Sequence, residues 1–194
     1  AGNGRFTTIL LFEAFEKALM QFMHEDAQVL SWPRAKASLA HCLAGQLQRS
    51  LRSVLGLSED SASPAFFSLP QDIKVDILVE GCDILVHDRK GKHLLGIVLG
   101  YDYLSKAQQE HLHQLKEQGF RLVLGVSFLM QKEYVLLYSP KQESLEYYHF
   151  NKQDGTTHHL MQRDVEGEAD DRQLSLGIKV RKKRKPTQIN DTVT

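Results

Sequence analysis

Cys82-Asp83-Ile84-Leu85-Val86, followed by Asp88-Arg89-Lys90-Gly91-Lys92 and then by Leu94-Leu95-Gly96-Ile97-Val98-Leu99-Gly100, is the stretch on which the fold turns. Just upstream, Ile73, Val75, Ile77 and Val79 alternate with Lys74, Asp76, Leu78 and Glu80, the period of two of a strand with one face buried. Gly81-Cys82 fits a two-residue hairpin turn with glycine in the first central position. Asp83 to His87 alternates again, with Ile84 and Val86 on one face and Asp83, Leu85 and His87 on the other. Asp88-Arg89-Lys90-Gly91 supplies the next turn, where Gly91 can take a positive φ without a Cβ clash. Leu94 to Leu99 is apolar on both faces, as a central strand is. The three strands form a meander.

Outward from this stretch, Ser105 and Gln108 make a capping box for a helix that runs to Gln118, and Gly119 stands at its C′ position. Arg121 to Val126 follows as a buried strand. A helix joining two strands in this way predicts a parallel, right-handed crossover. Glu133 to Tyr138 and Leu145 to Phe150 read as two antiparallel strands around a Ser-Pro turn, and residues 151 to 157 are turn-rich. Leu174, Leu176, Ile178 and Val180 propose one last strand.

Toward the N-terminus, Thr7 or Thr8 caps a helix with Leu11, Phe12, Phe15, Ala18, Leu19, Phe22 and Met23 at helical spacing. Ser31-Trp32-Pro33 opens a second helix with Pro33 in its first turn; Leu39, Leu43, Leu47, Leu51 and Leu55 repeat every four residues, and Gly56 stops it. That leucine stripe either packs on the core or serves a protein partner or homodimer. Ser58 to Pro70 is a loop by composition. The chain is thus expected to hold one domain: N-terminal helices over 1–57, an α/β core over 72–150, an extension with a strand over 151–180, and a basic polar tail over 181–194.

The layout resembles the PD-(D/E)XK nuclease-like superfamily, which includes restriction endonucleases and Holliday-junction resolvases. In that family an acid on one strand precedes an acid-x-Lys triplet on the next. Laid on the motif, Asp83 takes the first acid, Cys82 the preceding proline, Val98 the second acid and Gly100 the lysine. The resemblance implies a restriction endonuclease-like αβββαβ core with a mixed sheet. It also implies a site in which two acids bind Mg²⁺ and a lysine activates water. Valine has no oxygen for a hard cation and glycine has no side chain to move a proton, so the standard motif is lost at Val98 and Gly100.

The function this implies is a catalytically degenerate, nucleic-acid-binding or assembly subunit of a DNA-processing or mobile-element system, with no cofactor. Two alternatives stand beside it. One is a Mg²⁺-dependent nuclease with a rearranged site, using Asp83 as metal ligand with Asp76 and Asp102. The other is a protein-interaction module with no nucleic-acid role.

The strongest electrostatic feature is Lys179, Arg181, Lys182, Lys183, Arg184 and Lys185, six cations in seven residues and a candidate contact for DNA or RNA phosphates. In a eukaryote the same run reads as a nuclear-import signal. Tyr101, Tyr103, Tyr147 and Tyr148 are candidates for stacking bases. Lys plus Arg and Asp plus Glu both total 24, so no net field draws the chain to a polyanion and any attraction is local. The two cysteines, Cys42 and Cys82, make no disulfide framework and favour a reducing, cytoplasmic setting. No apolar run predicts a secretory signal or membrane span. Zinc and serine-nucleophile motifs are lacking: His111 and His113 point to different faces of a helix, and there is no Gly-x-Ser-x-Gly elbow.

Overall fold

The computed structural model describes residues 4–57 and 69–161, all within one compact unit, Ala1–Gln162. Along the chain run α1 (Thr8–Glu25), a 3₁₀ turn (Ala27–Ser31), α2 (Lys36–Val54), β1 (Lys74–Val79), β2 (Cys82–His87), β3 (His93–Gly100), α3 (Lys106–Glu117), β4 (Leu122–Ser127), β5 (Tyr134–Lys141), β6 (Ser144–Asn151) and β7 (Thr157–Leu160). The seven strands form one sheet in sequence order. β3 and β4 pair in parallel and every other neighbouring pair is antiparallel. The protein is therefore mixed α/β, with three α-helices and a seven-stranded mixed sheet among the described residues. The expected order of helix, three strands, helix and parallel strand is present from α2 to β4.

Alternation along the strands divides the sheet into two packed faces. Ile84, Val86, Leu95, Ile97, Leu99, Leu122, Leu124 and Val126 join the core that α1 and α2 cover. The space over Gly125, on the opposite face, is filled by Leu104 and by Leu112 of α3. Leu39, Leu43, Leu47 and Leu51 are all fully buried in the same core as Leu11, Phe15, Leu19 and Phe22. The chain's own core thus covers the leucine stripe of α2, and those four residues offer no apolar face to a partner.

Local signals account for most boundaries. The Thr7 side chain accepts from the Leu10 N–H and starts α1. Ser105 and Gln108 close both bonds of the capping box at α3. Gly56 and Gly119 take positive φ just past α2 and α3.

Four boundaries differ from the sequence reading. α2 begins at Lys36, not at Trp32-Pro33, because residues 27–31 close a separate 3₁₀ turn and Arg34 sits at φ 56°, outside helical backbone. The first hairpin turns on Glu80-Gly81, since Val79 pairs with Cys82; both central residues have positive φ, as the twist of a tight hairpin favours. The β5–β6 hairpin turns on Gln142-Glu143, and Pro140 stays in the ladder opposite Leu145. Finally, β7 is formed by the polar sequence Thr-His-His-Leu, which lacks the apolar alternation that marks a strand. Its place comes from pairing with β6 and from the Thr157 hydroxyl donating to Glu16 of α1 at 2.6 Å. The strand proposed over 174–180 lies outside the described residues.

Candidate functional site

Asp83 stands at the start of β2, one residue beyond the Ile84–Ile97 pair with which the β2–β3 ladder ends. Past that point a β3 N–H loses its strand partner and, being buried, must find another acceptor. Asp83 provides it: Oδ2 accepts from the Leu99 N–H at 2.7 Å. The same oxygen lies 3.2 Å from Lys36 Nζ, in the first turn of α2. The Asp83 side chain is mostly buried and Lys36 is half exposed.

Across from it, the alternate β3 positions 96, 98 and 100 carry Gly, Val and Gly, and all three are taken up by packing. Val98 is buried. A Cβ on Gly96 would lie 2.8 Å from the Phe120 ring and 3.1 Å from Cys82 Sγ. One on Gly100 would lie 3.0 Å from Leu104 and 3.2 Å from the Asp102 carbonyl oxygen.

The other carboxylates are held elsewhere. Asp76 Oδ1 pairs with Lys74 Nζ at 2.8 Å, and Oδ2 meets His87 Nε2 at 2.7 Å. His87 Nδ1 accepts from the Arg89 N–H at 3.0 Å, so the ring carries its proton on Nε2 and donates to Asp76. With both ring nitrogens engaged, His87 has no free lone pair with which to take a substrate proton, and the Asp–His pair fastens β1 to β2. Asp102 accepts from the Tyr103 N–H at 2.6 Å through its carboxylate. Its carbonyl accepts from the Ser127 hydroxyl at 2.7 Å. Ser127 and Tyr138 share a hydroxyl hydrogen bond at 3.2 Å, and the Leu104 N–H donates to Tyr138 Oη at 3.1 Å. This buried network clamps the β3–α3 loop onto β4 and β5. Among the described residues no group of three or more His, Cys, Asp or Glu side chains is placed to hold a metal ion.

The hydrogen bond from Lys74, then the one from His87, holds the Asp76 carboxyl below the usual aspartate range. A depressed folded-state pKa gives stability that is present above the unfolded value of about 3.9 and is lost as pH falls through the folded value. Asp76→Asn is therefore expected to flatten the stability loss below about pH 4. Urea midpoints measured from pH 7 down to pH 3 check this; an acid limb identical to that of the unmodified chain would refute the linkage.

The remaining candidates divide clearly. Both cysteines are free. Cys82 is buried, and desolvation, followed by the charges of Asp83 and Glu80, pushes its thiol up to about 12. His111 Nε2 meets the Gly81 carbonyl oxygen at 2.6 Å and docks α3 on the first hairpin. Tyr147 is buried edge-on against Tyr138. The Tyr148 hydroxyl donates to Glu146 at 2.8 Å, and its ring packs on Phe12 and His159; Tyr101 packs against the core. These three rings serve packing in the folded unit. The basic run of Lys179, Arg181, Lys182, Lys183, Arg184 and Lys185 lies outside the described residues.

Lys36 has no signal in the sequence. It is 47 residues from Asp83, counting from 36 to 83, and only the seating of α2 against the sheet brings the two together. Among the described residues no helix is long and apolar enough to cross a membrane. No family model, no curated protein and no solved structure matches this chain.

Proposed function

We propose that this protein is a catalytically degenerate member of the PD-(D/E)XK nuclease-like superfamily that binds nucleic acid as a non-cleaving or assembly subunit of a DNA-processing or mobile-element system. The observation that carries the reading is the state of Asp83. Its Oδ2 is occupied by the Leu99 N–H and by Lys36. The β3 positions that would supply the second acid and the lysine are instead filled by packing. Asp83 alone, with Oδ2 already engaged twice, offers a hard cation far too few of the roughly six or more oxygens it needs. Supporting the nuclease-like assignment are the order α2-β1-β2-β3-α3-β4 and the parallel β3–β4 pairing.

A second reading has one specific observation behind it. Lys36 brings an ammonium group to Asp83, so a cation stands near the first acid although Gly100 carries none. In that reading the protein is a Mg²⁺-dependent nuclease with a rearranged site.

One experiment separates the two. Fluorescent duplex DNA and single-stranded RNA are titrated with the full chain at two salt concentrations, with and without Mg²⁺ or Mn²⁺, and the same samples are run on a gel. The expected result is salt-sensitive binding with intact nucleic acid. Asp83→Asn should leave binding within about twofold while lowering stability by about 1–3 kcal/mol, the typical cost of weakening a charged acceptor of a buried N–H. Metal-dependent cleavage abolished by Asp83→Asn would establish the rearranged nuclease. Neither binding nor cleavage would leave a protein-interaction role.

A further inference from the structure

The β2–β3 turn is built unlike an ordinary solvated loop. Asp88 is buried, and its Oδ1 accepts from the Lys90 N–H at 2.7 Å and from the Lys92 N–H at 2.9 Å. The Asp88 N–H donates to the Lys92 carbonyl at 3.1 Å, and the Arg89 N–H donates to His87. Arg89 and Gly91 both take positive φ. The one acid of the turn is thus spent inward on the backbone, and Arg89, Lys90 and Lys92 project outward, all exposed. Among the described residues none of the three forms an ion pair.

Beside the turn lies an open cleft of about 400 Å³, lined by Gly91, Lys92, His93, Gln118, Gly119 and Arg121 together with Leu94. Among the described residues no carboxylate lines it. Its two glycines have φ of 95° and 94°, and a Cβ built at either meets no described atom within 4 Å. Lys116, near the end of α3, donates from Nζ to the carbonyls of Phe120 and Arg121. Arg121, which lines the cleft, donates to the Phe6 carbonyl.

We infer that this pinned basic turn, Arg89-Lys90-Gly91-Lys92, with Arg121 across the cleft, is a phosphate-backbone contact surface for nucleic acid within the folded unit. The inference rests on the nucleic-acid reading above and gives it a location separate from the basic run at 179–185. It also lies at the opposite end of β2 and β3 from Asp83. Three cations in four residues, on a backbone fixed by Asp88, suit a polyanion without sequence preference. Each neutralised phosphate releases counterions, and binding costs little further ordering of the backbone because the turn is already set.

The test compares the full chain with Arg89→Gln/Lys90→Gln/Lys92→Gln, which keeps every backbone N–H that Asp88 holds. A control, Lys17→Gln/Lys141→Gln, removes two exposed lysines that pair with Glu13 and Glu146. Circular dichroism and urea midpoints establish that all three fold. Affinity for fluorescent duplex DNA is read across a salt series. The triple variant is expected to bind about tenfold more weakly near 0.1 M salt, and the slope of log K against log salt should shrink by roughly 2 to 3, close to one for each phosphate that is no longer neutralised. The control should stay within about twofold.

If the unmodified chain binds DNA and the triple variant matches it in affinity and slope, the inference falls and the nucleic-acid reading survives. If the unmodified chain binds neither duplex DNA nor single-stranded RNA, both fall. Binding to phosphatidylserine vesicles that the triple substitution abolishes, with DNA binding unchanged, would reassign the turn to a lipid surface and overturn the inference.

Discussion

Replacing Phe22 with alanine is expected to lower the unfolding free energy by about 3–5 kcal/mol. Phe22 lies on the buried side of α1 in the last turns of the helix, with no exposed area. Its ring sits 5.6 Å from Phe128, immediately after β4, in a tilted arrangement. The pair is the aromatic joint between the N-terminal helix and the centre of the sheet, and tilted ring geometry adds to the burial of two large apolar rings. Truncation leaves a void that Leu19, Phe128 and the α2 leucines cannot fill, because each is already packed. Against a total stability of about 5–15 kcal/mol for a domain, this is a large share. Urea unfolding followed by far-UV circular dichroism gives the number. A loss below about 1 kcal/mol would mean that α1 is not seated on the sheet at this point.

The second large effect comes from adding volume. A Cβ at Gly125 would lie 2.6 Å from Leu104 Cδ1, 2.9 Å from Leu112 Cδ1 and 3.1 Å from Tyr138 Cβ. The crowding comes from three elements at once: the β3–α3 loop, α3 and β5. The leucine tips could swing aside in an open site. Here Leu112 is buried, and the Leu104 N–H is tied to Tyr138 Oη. Gly125→Val is therefore expected to destabilise by about 2–3 kcal/mol, with Gly125→Ala milder. The damage should be greatest at α3, and amide exchange there should speed up before exchange in α1 does. Equal stability of Gly125→Val and the unmodified chain would show that α3 rides loosely on the sheet.

That glycine also explains how far the sequence can be read. The meander, the capping box and the helix after it are local devices: period-two alternation, a Ser-x-x-Gln spacing, glycines at turns and helix ends. Each acts within a few residues, so each is legible in a single chain. α1 and the body of α2 follow for the same reason, from apolar spacing. The boundaries that differ lie where two local signals compete. Pro33 is a fair first-turn residue, yet the 3₁₀ turn ahead of it has already consumed Ser31. Ser139-Pro140 looks like a turn, yet its neighbours alternate well enough to keep Pro140 in the ladder. β7 has no intrinsic signal at all and exists by pairing.

The candidate site is half legible. Asp83 stands out from its place in the strand order, and that Val98 and Gly100 carry neither a carboxylate nor an ammonium is read directly. What those residues do instead is not. Gly96, Gly100 and Gly125 are short because Phe120, Leu104 and Leu112 occupy the space over them, and those contacts span up to 24 residues of sequence, from Gly96 to Phe120. Lys36 is equally hidden, since nothing in its own surroundings marks it. In the sequence Asp76 lies on the polar face of the first strand and Asp102 just beyond the third, which makes both candidates to join Asp83. The folded chain gives each its own partners.

The burial of Cys82 bears on the chemistry of sulfur. Disulfide exchange and alkylation proceed through the thiolate, and a thiol at about 12 is ionised to roughly one part in 10⁵ at neutral pH. Cys82 is also buried within the first hairpin, and the Cys42 thiol is moved in the same direction, chiefly by burial. Cys82 therefore gives a poor record of where the protein resides. Cys82 would remain a thiol beside oxidised glutathione as readily as beside reduced, because what preserves it is the low population of its reactive form and not the redox poise of its surroundings.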